Sequence, residues 1–250
     1  MKYRLTDETI EWEGFKLHRI QATKDFGNVH KGDLGGFIEN ENNLSHEGNA
    51  WVYGDAKVYG NARVWGDARV CGYVLIFDNA WVYGKAWVCG YALVFNNAQV
   101  WGDALVCGNA LVFDKAKVCG DAKVCDNTKV CDNARVCDKA KVYGSAKIFD
   151  NARVFGEAEV YGKAWICDFA QAYGNAKVCD KAKVCGHAEV YGNARVYGEA
   201  WVRGSAEVFD DAWVYSDAWV SDRAKVYGDA RVYDNAWVCG DARVCDDVRG

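Results

Sequence analysis

The chain repeats one six-residue phrase almost throughout. The stretch "GNARVYGEAWVRGSAEVF", residues 192–209, states it three times: Gly, a polar residue, Ala, any residue, Val, then usually an aromatic residue or Cys. Framed from Gly48, 33 complete units run without insertion or deletion to Cys245. The third position is Ala in 31 of the 33, with Val74 and Thr128 as the exceptions. The fifth is Val in 29, the others being Ile76, Ile148, Ile166 and Ala172. Such fidelity at a fixed period constrains the fold more than any local propensity does.

Positions three and five are apolar and separated by one variable residue. That is strand alternation, with Ala inward, the variable residue outward and Val inward. Positions one and two hold Gly-Asn, Gly-Asp and Asp-Asn pairs, which tolerate unusual backbone angles and mark bends. Each unit therefore reads as a short strand plus a bend. Gly or Asp at every sixth residue disfavours a helix. The chain has no proline, as suits a molecule built of ladder hydrogen bonds. One short strand cannot bury its face, so the units must wind into a coil and stack.

Units such as "VYGDAK" resemble the hexapeptide-repeat family of acyltransferases at the aliphatic and small positions. They depart from it at the residue after Val, where that family often has Gly and this chain has Tyr, Cys, Phe or Trp. The resemblance implies an all-β fold, the left-handed parallel β-helix, with three of the six-residue units in each triangular turn. The 33 units then make about 11 turns, roughly 50 Å at about 4.8 Å per stacked strand. Uniform rows of Val and Ala leave no internal cavity, so any function is expected on the outside.

Residues 1–47 lie outside the repeat and are expected to form an N-terminal β-hairpin and capping segment, with the β-helix over 48–250. "KYRLTDETIEWEGFKLHRIQA" reads as two strands turning at Glu13-Gly14, placed to cover the open strand edges of the first turn. Ala22, Asp25-Phe26, Val29, Gly32, Gly35-Gly36-Phe37-Ile38, Leu44-Ser45, Gly48 and Trp51-Val52-Tyr53 make a more specific string. It resembles the start of the YdcK-like hexapeptide-repeat proteins, bacterial proteins labelled as acetyltransferases. The resemblance implies the fold firmly and acetyl transfer from an acyl-CoA only as an alternative.

With three units per turn, residues i and i+18 become vertical neighbours and each face can be read as columns. One face sets Leu75, Leu93 and Leu111 beside Phe77, Phe95 and Phe113, and further along Trp165, Trp201, Trp219 and Trp237. Apolar blocks of this size exceed what soluble monomers usually expose. These ten residues are the candidate interface or ligand-binding set. The sixth-position column has an alternative reading, in which it tucks over the corner and is partly buried. A second face alternates Trp51, Arg69, Trp87 and Leu105 with Tyr and Cys columns. The third, from Arg63 through Lys117, Arg135 and Arg153 to Arg243, reads as the most polar.

All twelve cysteines stand at the sixth position, where Tyr and Phe also occur. Cys71, Cys89, Cys107 and Cys125 share a column; Cys119 pairs with Cys137, and Cys167 with Cys185. The spacing permits disulfides, but stacked side chains point in parallel, and Cys is expected here as a small hydrophobe, with a soft-metal or redox ladder as the alternative. No His or carboxylate completes a metal site, so no metal and no cofactor is expected.

The net charge of −5 gives no reason to expect nucleic acid. No stretch approaches a membrane span and no signal-peptide core is visible, so the expected compartment is the cytoplasm. Hexapeptide acyltransferases are usually trimers that use a His base, and here His187 is the only His inside the clean repeat. It occupies a bend position that Asn, Asp and Lys also fill, which makes it a weak catalytic candidate. Outward Thr columns suited to ice are absent, since Thr128 is the only repeat Thr and points inward. The final "DDVRG" shows no capping element, and an open β edge there invites another strand. The expectation is a rigid, non-catalytic scaffold that self-associates as a trimer or an end-to-end stack. An acyltransferase and a small-molecule or protein-binding surface are the alternatives.

Overall fold

The computed structural model describes residues 1–250 as an all-β chain with one short 3-10 turn at Glu41–Asn43. It comprises two compact units, Met1–Gly120 and Asp121–Gly250.

The first unit opens with an antiparallel hairpin. Strand β1 (Tyr3–Trp12) pairs with β2 (Phe15–Ala22), and Trp12 faces Phe15 across the Glu13-Gly14 turn, where both turn residues have positive φ. Strand β3 (Leu34–Ile38) is antiparallel to β2 but parallel to Lys57–Val58, so it joins the hairpin to the coil. Lys2 is buried and its Nζ donates to the carbonyls of Glu47, Gly48 and Ala50. The Tyr3 hydroxyl donates to the Leu44 carbonyl at 2.7 Å. These bonds satisfy main-chain oxygens that a coil would otherwise leave open at this point.

From Trp51–Val52 to Lys117–Val118 the unit is a series of two-residue strands, one in each six-residue repeat. Leu93 aligns in parallel with Leu75 and Leu111, Trp87 with Arg69 and Leu105, and Gln99 with Trp81 and Lys117. Every partner lies three repeats away, as i and i+18, so three repeats make one storey and three parallel sheets form the walls. The second unit follows the same rule. Glu159 aligns with Lys141 and Lys177, Trp165 with Lys147 and Lys183, and Glu189 with Gln171 and Glu207. This is a parallel β-solenoid with the 18-residue period that the family resemblance implies.

The core is equally regular. Ala158 and Val160, like the Ala and Val of almost every repeat, have no accessible surface. Three backbone bonds per repeat climb from storey to storey; around one repeat they run from Ser145 N–H to Gly162 O, Lys147 N–H to Ala164 O and Phe149 N–H to Ile166 O. The first position of the repeat lies in the left-handed region throughout, whether it is Gly, Asp, Asn96 or Ser216: φ is +69° at Gly162 and +58° at Asp180. This explains why Gly and Asp dominate there.

Candidate binding faces

Within the first unit, Leu75, Leu93 and Leu111 stand in register on neighbouring strands, each half-buried. Beside them Tyr59, Phe77, Phe95 and Phe113 form one stack, with centroids 4.9–5.2 Å apart and rings within 5° of parallel. The sixth-position column does tuck toward the corner: Tyr59 is buried, and the phenylalanines are half-buried.

The candidate tryptophans, all in the second unit, are organised differently. Trp165 lies between Lys147 and Lys183, each ammonium 4.8 Å from its ring, and meets Phe149 edge-on. Lys183 also sits 4.2 Å from the Trp201 ring. Trp201 stacks on Trp219 at 5.2 Å, Arg203 covers Trp219, and Trp219 meets the exposed Trp237 at a steep angle. These cation–π contacts engage most of the ring faces.

His187 is exposed and its imidazole stacks on Phe169 at 4.9 Å. No carboxylate bonds to it to hold a tautomer, as a catalytic base requires.

The third face is not simply polar. Its sixth-position column holds Trp65, Tyr83 and Trp101 stacked in the first unit. In the second unit Phe155, Tyr173, Tyr191, Phe209 and Tyr227 make a five-ring ladder. Following only the Arg and Lys of the fourth position misses the rings two residues on, although that column is legible in the sequence. Tyr173 and Tyr191 donate to the carboxylates of Glu189 and Glu207 at 2.9 and 3.1 Å. Burial and then the Glu207 hydrogen bond push the Tyr191 hydroxyl up to about 12.

On the second face Glu159 bridges Lys141 and Lys177 at 2.9 and 3.4 Å. The hydrogen bond from Lys141 holds its carboxyl below the usual range.

The view of cysteine as a plain hydrophobe needs correction. Cys167 and Cys185 are joined in a disulfide, with Cα atoms 4.8 Å apart. The stacked thiols need only turn toward one another at this spacing. Asp168 lies close to both sulfurs, but the bridge consumes the thiolates a soft metal would need. Cys71 and Cys89 remain thiols, and the Trp87 indole N–H points to Cys71 Sγ at 3.1 Å.

The fold defines the class: a parallel β-solenoid built from six-residue repeats. Three segments, residues 56–72, 188–204 and 224–240, match the repeat described as the YdcK beta solenoid repeat. A relative named "Uncharacterized acetyltransferase YdcK", from Escherichia coli (strain K12), is 40% identical over 60 residues. That match spans 21% of this chain and 18% of the relative. In its coil and over these segments the chain is similar to the YdcK-like β-solenoid repeat proteins. No helix is long and apolar enough to cross a membrane.

Proposed function

We propose that the chain is a non-catalytic β-solenoid scaffold that associates with copies of itself, side by side, through the column of Leu75, Leu93 and Leu111 and the adjoining Phe77, Phe95 and Phe113. One observation carries this reading: three leucines in register, half-buried and flanked by a continuous phenyl stack, form an apolar strip on a flat sheet. Strips of that kind on soluble proteins mark interaction sites, and a repeated surface is self-complementary when two copies meet in register. A trimer is the expected closed form. In the second unit Trp165, Trp201, Trp219 and Trp237 extend the same chemistry, with Trp237 the ring left most open.

Light scattering on the purified full chain tests the proposal. The expected mass is a multiple of 27.7 kDa, and Leu93→Asp lowers it to the single-chain value. A wild-type mass of one chain overturns the proposal. Trp219→Asp, measured in parallel, reports whether the tryptophan column contributes.

Acyl transfer is a second reading, supported by the name of the E. coli relative. His187 would be its base. The stack on Phe169 and the lack of an orienting carboxylate favour the scaffold. Turnover of acetyl-CoA that disappears in His187→Ala would reverse that order.

A further inference from the structure

Most aromatic rings of this chain spend their faces on one another or on a cation. Trp81, in the first unit, does not. It projects from the strand Trp81–Val82 between Arg63 and Gln99 on the aligned strands. Its one ring contact is with Trp65, at 73° and 5.6 Å, so it stands across the ladder instead of within it. It is 40% exposed and no cation covers it. Two open hollows adjoin it. One of about 430 Å³ is bounded by Trp65, Arg63 and the 3-10 turn at Glu41 and Asn42. The other, of about 320 Å³, is lined by Asn61, Asn79, Asn97 and Gln99.

Most of the polar groups around Trp81 are side-chain amides. Asn61, Asn79 and Asn97 occupy equivalent bends on successive storeys, and Asn61 donates to Asn79 at 3.1 Å. The side-chain amides of Asn97 and Gln99 and the guanidinium of Arg63 make no hydrogen bond within the protein. Amides offer donors and acceptors together, and Arg63 is balanced by Glu41 in the same hollow. The site thus combines an exposed indole face, the negative end of the ring quadrupole, with a row of amides and little net charge.

The geometry points to a binding site for a neutral saccharide centred on Trp81. A pyranose presents slightly positive C–H groups on its face and hydroxyls at its edge, the complement of an indole flanked by amides. A phosphate-rich polymer would need several unpaired cations, and here there is one. This site goes beyond the assembly reading, since Trp81 stands on a different sheet from the leucine column.

Titration calorimetry of the full chain with cellohexaose, maltohexaose and chitohexaose tests it. At least one of these neutral oligosaccharides is expected to bind with a Kd of roughly 0.1–1 mM. Trp81→Ala weakens that binding by about tenfold or more, as loss of an anchoring aromatic does. Trp81→Phe, which keeps a ring, recovers part of it, and Asn97→Ala weakens it without touching the indole. Trp87→Ala, an exposed indole on another sheet, leaves it unchanged. The proposal is overturned if none of the three binds at about 10 mM, if Trp81→Ala binds like the wild type, or if a single-stranded oligonucleotide and no saccharide binds in a Trp81-dependent way.

Discussion

At the first position of each repeat the side chain has a second task beyond accepting a left-handed backbone. Asp126, Asp138 and Asp168 accept hydrogen bonds from the N–H groups of Gly144, Gly156 and Gly186, one storey on, at 2.9, 3.0 and 2.8 Å. The sequence shows Asp at these bends and the turn preference explains it, but the bond to the next storey depends on what lies above and is not legible in local pattern. Where the residue is Gly, space is short. A Cβ added to Gly162 would stand 2.8 Å from the Asp180 nitrogen, at a φ of +69°. Gly162→Ala is therefore expected to destabilise the fold by about 1–3 kcal/mol, the cost of a strained backbone, measurable as a lower urea midpoint. Thr128 presents the opposite case. It replaces the usual Ala, is fully buried, and its hydroxyl has no hydrogen-bond partner. Thr128→Val keeps the shape and removes the orphan group, and should raise stability by about 1 kcal/mol. An unchanged or lower midpoint would show that the hydroxyl is satisfied.

The element that recurs outside the core is the ring ladder. Register at three repeats places like rings face to face, as in Tyr197 on Tyr215 at 4.9 Å, within the range where aromatic pairs attract. Inside a ladder the ring faces are consumed, so a planar or sugar-like ligand has no face to stack on there, whereas Trp81, turned out of line, keeps a face open. The Leu and Phe columns of the first face follow from arithmetic on the sequence. Trp81's freedom does not, because it depends on how Trp65 turns beside it, and the Cys167–Cys185 bridge depends on rotamers. The ladders also make a pH prediction. Burial, with a carboxylate bond in two cases, raises the hydroxyl pKa of Tyr173, Tyr191 and Tyr197. A pKa higher in the folded state than its unfolded value of about 10 contributes stability that is complete below pH 10. That stability is lost as pH rises toward the folded value, about 12 for Tyr191. The melting temperature should therefore decline steadily between pH 10 and 12. A flat profile across that window would contradict the buried, hydrogen-bonded state of these hydroxyls.

For the molecule as a whole, one rule organises everything: vertical neighbours are i and i+18. Strand alternation in Ala-x-Val makes the inward rows legible in the residues themselves. Three repeats per storey comes instead from family resemblance, and the strand pairs within each unit agree with it, from Trp51 on Arg69 in the first to Lys225 on Arg243 in the second. The faces, the ladders, the leucine strip and the Trp81 site all depend on it. Native ion pairs make it directly testable. Lys139 and Glu157 lie 3.1 Å apart, and Lys181 and Glu199 lie 2.6 Å apart, all four side chains exposed. Such surface pairs add little stability, but they report register. Zero-length carbodiimide cross-linking of the folded chain, mapped by mass spectrometry, should join Lys139 to Glu157 and Lys181 to Glu199. Links that instead join lysines and glutamates one repeat nearer or farther, with these two absent, would contradict the account.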